Sequence, residues 1–443
     1  MKRVPVFLML ALVFLCAALT FFVARIVNPP IDWRTVRPAS STTTCGSWQV
    51  MSGENAGGFL SEYDVRLVQV AALSDEDVWA VGSKIQTLNV PNFGGSPEHE
   101  LALLLHWDGG NWNQVSIPDV QGLRRLSFTT AEAIGEDNVL VGGQYEDAGG
   151  AHALFLLWDD GKWLRLSLPH VNNTSNVVRA LAGTSKDDLW AIGSFVLSAG
   201  ATPQQLIHWD GNQWTTVDTG IVATKPREEI TLHDAAILSK DDMWFVGYRQ
   251  TTQGYFTMSI HWDGSNWTEV SLPKPHPNDT RSRLTSVAAV SKDDIWATGT
   301  KEDSNHMLSY HWNGKEWLIV DAPRYERDLL QAVAARTGNQ GSRAQAQVWA
   351  VGQFGGKMDP ATNLIPTYPL LMHWEENEYN EHKWNVALSL EEWSEGVLND
   401  VTILPNGNVW AVGHYSEPKA PGRWYDRRTK ALVVEYRPQG CQP

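Results

Sequence analysis

Positive charge is scarce in this chain: 35 Lys and Arg stand against 50 Asp and Glu, a formal net charge of −15 over 443 residues. Nucleic acid is bound by a basic face, so it is excluded as the main partner. Charged residues of either sign make up only 19%, against 43% hydrophobic. That balance excludes a polar, disordered polymer, because enough apolar surface is available to bury. No segment sustains a 3.6-residue apolar period with caps, which excludes a helical fold. Cysteine is scarce too: of Cys16, Cys45 and Cys441, only the last two lie beyond the apolar amino terminus.

Long apolar runs are equally few, and the one present opens the chain. Lys2 and Arg3 precede Val4 to Val23, which Ala24 and Arg25 close. Twenty residues rising ~1.5 Å each as a helix cover about the 30 Å of a bilayer core. A cleaved signal peptide would have a shorter apolar region, roughly 7–15 residues, and an A-x-A site, neither of which is found here. Residues 1–25 are therefore expected to be an uncleaved anchor, with secretion after cleavage at Ala17 or Ala18 as the alternative. Bulky Phe14 and Leu15 before Cys16 argue against a lipoprotein cysteine. Lys2 and Arg3 place the amino terminus in the cytoplasm and the bulk of the chain outside. Residues 26–44, with Pro29, Pro30 and the run from Pro38 to Thr44, read as a tether.

What is abundant is tryptophan, 22 residues against 11 Tyr and 12 Phe. The excess comes from one repeated phrase: a polar turn, Val-Trp-Ala-Val-Gly, a variable gap, then His-Trp-Asp-Gly-x-x-Trp. The first half recurs at Trp79, Trp190, Trp244, Trp296, Trp349 and Trp410, with a degenerate copy at Val139 to Gly142. The second recurs at Trp107, Trp158, Trp209, Trp262, Trp312 and Trp374, each followed by a trailing Trp. Trp79 and Trp410 are 331 residues and six intervals apart, or about 55 per repeat, near the roughly 40–50 of a propeller blade. Each repeat reads as four strands: an apolar strand A (Val68 to Leu73 in the first copy), strand B (Val78 to Gly82), strand C (Leu101 to Trp107) and strand D (Trp112 to Ile117).

The seventh copy has strands B and C but no strand D after them, whereas Ser47-Trp48-Gln49-Val50 near the other end matches a strand D. The two ends are expected to complete one blade and close an all-β, seven-bladed propeller of four-stranded antiparallel blades over residues 45–443. Cys45 and Cys441 flank that joint, where a disulfide is geometrically natural and an oxidising compartment favours it. The repeated phrase resembles those of secreted bacterial propellers related to neuraminidase (Asp-box) repeats and to kelch-like propellers. The resemblance implies the fold and leaves the activity open. No Phe-Arg-Ile-Pro-type motif of a sialidase is present.

Antiparallel order puts the A–B and C–D turns on one face and the B–C and D–A connections on the other. The first set is short and repetitive, as in Ser185 to Asp188 and Ser239 to Asp242; its Asp and Ser are expected to bond their own turn backbone rather than hold calcium. The second set is long and different in every blade, as expected of a binding face. Strand C histidines His106, His208, His261, His311 and His373 are read as packing beside Trp, because successive blades hold them too far apart to share a metal. The repeat absorbs 19 of the 22 Trp and leaves Trp33, Trp393 and Trp424. Trp393 and Trp424, with Tyr415, Arg423, Tyr425, Arg427 and Arg428, form the candidate ligand-binding cluster on blade 7. The second candidate is the channel mouth, read from polar residues at the start of strand A; Arg179, His233, Asp234 and Asp400 there offer a base and an anion clamp. The expected function is non-enzymatic binding of a glycan or protein by a monomer, with no cofactor and no metal. A glycan hydrolase or lyase at the channel mouth is the alternative.

Overall fold

Each copy of the repeat folds as one sheet whose strands follow in the order A-B-C-D, and the sheets number seven. The computed structural model describes residues 47–52, 63–87, 98–117, 124–147, 150–169, 171, 174–223, 226–302, 306–337, 346–356, 358, 365–376, 382–389, 395–418 and 427–438. The segment 1–25, the tether, Cys45, Cys441, Trp393, Arg423, Trp424 and Tyr425 lie outside them. Among the described residues no helix is long and apolar enough to cross a membrane.

Blade 1 has strands Asp64–Ser74, Asp77–Thr87, Glu98–Trp107 and Trp112–Gln114. Blade 4 has Glu229–Ser239, Asp242–Thr251, Gly254–Trp262 and Trp267–Val270. Blade 2 carries an additional two-residue strand, Thr174–Ser175, parallel to its strand C. In blade 7, Val397–Ile403, Val409–Pro418 and Arg427–Arg437 are joined by Ser47–Ser52, which pairs antiparallel with the last of them, Ser47 opposite Arg437 and Val50 opposite Val434.

The blades are held together by seven apolar clusters, each shared by two consecutive blades, and one of them joins blade 7 to blade 1 through Trp410, Val412, Val65 and Leu67. In the six blades that have one, the strand B tryptophan spans the seam; in blade 2 Leu140 takes its place. In five blades the tryptophan ring lies against the strand C histidine of its own blade at 4.2–4.4 Å. Its other side meets the strand C and D tryptophans of the next blade, at 4.8–6.0 Å in blades 1, 4, 5 and 7. In four blades the histidine Nε2–H donates to the aspartate that opens strand B (Asp77, Asp188, Asp242, Asp294) at 2.7–2.9 Å. The histidines are thus structural, and the same aspartates also accept the indole N–H of Trp79, Trp190 and Trp296. At the tight turns, Asp108, Asp210 and Asp263 accept two backbone N–H groups each from their own loops, which hold these carboxylates below their usual pKa.

Every strand A is interrupted at the same place. Its register against strand B shifts between Leu67 and Gln69 in blade 1, and at the equivalent position in the other six. The extra residue of these bulges is Val68, Thr129, Arg179, His233, Thr285, Gln331 or Asn399. The bulge presses one strand A carbonyl onto strand B, and there the repeat has its glycine: a Cβ on Gly82 would overlap the Arg66 oxygen. The repeated Val-Gly of the sequence is therefore the imprint of a bulge in a different strand.

Candidate functional site

The seven A strands touch their neighbours all the way round and form the inner wall of the ring. They enclose a cavity of about 280 Å³, with Gln69, Glu132, Asp234, Ser286, Asp400 and Thr402 among its polar lining. The bulge decides how these side chains are used. The extra residue reaches the next blade's carbonyl: Thr129 Oγ1 donates to Val178 O at 2.9 Å, Thr285 Oγ1 to Leu330 O at 3.3 Å and Asn399 Nδ2 to Leu67 O at 2.6 Å. The residue after it accepts an N–H from the next blade: Asp234 from Val287 at 2.9 Å, Ser286 from Val333 at 3.2 Å and Asp400 from Val70 at 2.9 Å. These polar residues lace neighbouring innermost strands together.

The expected location of the polar set is corrected by this geometry. Strand A begins at Asp64, four residues before the Val68 at which the sequence pattern starts it. Asp234 and Asp400 consequently sit within the channel wall at mid-strand rather than at its mouth. A bulge breaks the two-residue alternation, so the polar pair imitates a strand end. Tyr415, expected among exposed aromatics, is only 8% exposed and belongs to the apolar cluster shared by blades 6 and 7. Arg428 is half-buried, and Arg427 opens strand C of blade 7 opposite Pro418.

Burial pushes Asp234 up to about 6 and Asp400 up to about 7, in each case against the hydrogen bonds that favour the ionised form. Glu132, which the sequence reading did not single out, lines the same channel. Burial, then the charges of Asp234 and Asp400, raise its carboxyl to about 8. Only the register marks it: across from the strand B position of Trp79, where blade 2 has Leu140, five blades have alanine and one has Thr402. Three carboxyls in one narrow channel share fewer than three negative charges at neutral pH. Among the described residues no group of three His, Cys, Asp or Glu is placed to hold a metal ion.

Towards the loop face the channel turns basic. His233 is pushed down to about 4 by burial, then by Arg179 and Arg283, and its Nε2 is buried without a hydrogen-bond partner. Its ring packs 5.5 Å from Tyr248. His414 is likewise lowered to about 4, by burial and then Arg66. Both imidazoles are neutral near pH 7 and too weakly basic to be efficient proton acceptors there. The structure thus brings Arg179, His233 and Asp234 into one sector of the ring, with Asp400 across from them in blade 7.

No family model matches this chain, and no curated protein does. Among solved structures it is similar to a triple arginine-to-alanine mutant of AofleA from Arthrobotrys oligospora, at 14% identity and a TM-score of 0.38 over 80% of this chain and 94% of that one. It is also similar to a mutant of NanB sialidase from Streptococcus pneumoniae, at 11% identity and a TM-score of 0.40 over 93% and 72%.

Proposed function

We propose that this chain is a binding propeller displayed outside a membrane by residues 1–25, and that it takes up a glycan or a protein on the face of its B–C and D–A connections. The observation that supports binding over catalysis is the commitment of the channel's polar atoms. Asp234 and Asp400 each hold a backbone N–H of the adjoining blade, and the other oxygen of Asp234 holds Ala235 N–H, whereas a general acid or base needs an oxygen free to give a proton to, or take one from, a substrate. The ligand cluster on blade 7 is Trp393, Arg423, Trp424, Tyr425, Arg427 and Arg428; Tyr415 leaves it for the core. In this reading the Ser47–Ser52 strand closes the ring, a Cys45–Cys441 bridge locks it, and the repeat is a relative of the neuraminidase and kelch-like ones.

The test is a glycan and surface-protein binding screen followed by Trp393→Ala and Trp424→Ala. Each should weaken the ligand found by about tenfold or more while leaving the melting temperature near that of the parent. Normal binding with normal melting would move the site elsewhere on the face.

A glycan hydrolase or lyase is the second reading, and the raised carboxyls of Glu132 and Asp400 favour it, since such shifts gather at catalytic sites. Turnover of a polysaccharide by the parent that is lost in a His233→Ala/Asp234→Ala variant of unchanged melting would replace the binding reading with this one.

A further inference from the structure

Away from blade 7, the loop side of the ring holds a groove of about 360 Å³ between blades 3 and 4. Ser194 of strand B, Val222 of the D–A connection, and Glu229 and Thr231 at the start of the next strand A line it, with Arg179 at its inner end. Arg179 is the extra residue of the blade 3 bulge. In three other blades that residue laces the ring to its neighbour. At this seam Gln205 of strand C does so instead, its Nε2 donating to Ile230 O at 2.6 Å and its Oε1 accepting from Leu232 N at 2.8 Å. Arg179 is thereby released from the scaffold, and it has no ion pair among the described residues of a chain that is strongly acidic overall.

The charges around the groove define what fits. Arg283, on strand A of blade 5, pairs with Glu302 at 3.1 Å, and burial, then the charges of Arg179 and Arg283, keep the His233 imidazole neutral. Glu228 does not quench Arg179, since its buried carboxylate pairs with Arg249 at 3.2 Å. Glu229 is exposed and remains an acceptor, Ser194 and Thr231 offer hydroxyls, and Val222 is 63% exposed. One guanidinium, one carboxylate, two hydroxyls and a small apolar surface suit a ligand unit that carries one carboxylate among several hydroxyl donors and a weakly apolar face. An acidic peptide such as polyglutamate brings carboxylates but no hydroxyls beside them for Glu229 to accept from; an uncharged sugar would leave Arg179 unanswered.

We propose that the blade 3–4 groove binds a uronate residue of an acidic polysaccharide, its carboxylate on Arg179, its hydroxyls on Glu229, Ser194 and Thr231, and its ring against Val222. This rests on the reading that the loop face binds ligands, and it names the ligand class. The volume matches one or two sugar rings, at the small end of ligand sites.

The test is calorimetric titration of the full-length protein with trimers of galacturonate, glucuronate and mannuronate, their methyl esters, and hexaglutamate as the peptide arm. At least one uronate trimer should bind. Arg179→Gln should weaken it about tenfold or more, as loss of a charge-assisted pair does, and Arg179→Lys should recover part of that. The methyl ester should bind the parent as weakly as the acid binds Arg179→Gln. Val222→Asp, an exposed change that spares the fold, should weaken the acid as well. Failure of all three trimers to bind, indifference to Arg179→Gln or Val222→Asp, or tighter binding of hexaglutamate would each overturn the proposal. If a ligand from the screen depends on Trp393 and Trp424 but not on Arg179, the binding face stands and this groove is discarded.

Discussion

Glu132 replaces a small residue in the one blade whose strand B carries Leu140 in place of tryptophan, and its effect is a matter of proton linkage. Its carboxyl titrates at about 8 in the folded chain, against about 4.3 when unfolded. Between those values the folded state keeps a proton that the unfolded state has lost, so stability falls as pH rises through that window. Asp234 and Asp400, at about 6 and about 7, add to the same downward slope. Glu132→Gln removes the titration and leaves the shape. It should raise the melting temperature at pH 8 by about 5 °C, a modest shift for so large a change in proton binding because a domain this size has a large unfolding entropy, and by only about 1 °C at pH 5. Thermal melts at the two pH values check this; an equal shift at both would show that packing, not ionisation, is responsible. Asp234 and Asp400 were legible as polar departures in an apolar strand, but Glu132 was not, because only the register shows it occupying the alanine position.

At the scale of the element, the strand B tryptophan explains why one phrase has been copied so faithfully. Trp244 is 1% exposed and touches His261 of its own blade and Trp312 and Trp317 of the next. Trp244→Ala should cost roughly 3–5 kcal/mol as a large-to-small change at a filled seam. Trp262, on strand C, is half-buried and keeps its indole N–H on the Lys240 carbonyl, so Trp262→Ala should cost distinctly less. Denaturant midpoints for the pair decide the matter, and equal losses would contradict the spanning role. The strands were readable because tryptophan, glycine and Asp-Gly turns recur at fixed spacing. The length of strand A was not, because its bulge is a relation between two strands and leaves its mark as a glycine in the other one.

For the whole molecule, the decisive question is how the two ends of a ring are held. Intact-mass analysis of the soluble part is expected to find a Cys45–Cys441 bridge, two hydrogens lighter than the reduced form. Reduction should lower the melting temperature, since closing so long a loop is worth roughly 4–5 kcal/mol in the chain-entropy view; two alkylatable thiols in folded, unreduced protein would end the idea. The repeat count, the four strands per blade and the assignment of most tryptophans to the scaffold follow from sequence alone, because periodic burial must leave a periodic pattern. The tertiary structure decided the rest. It set the polar residues of strand A inside the channel wall as inter-blade ties, drew Tyr415 into the core, brought Glu132 beside two distant carboxyls and left Arg179 without a tie. Each depends on which residues of different blades face one another, and that is fixed by the bulges and by the packing of consecutive blades rather than by any local pattern.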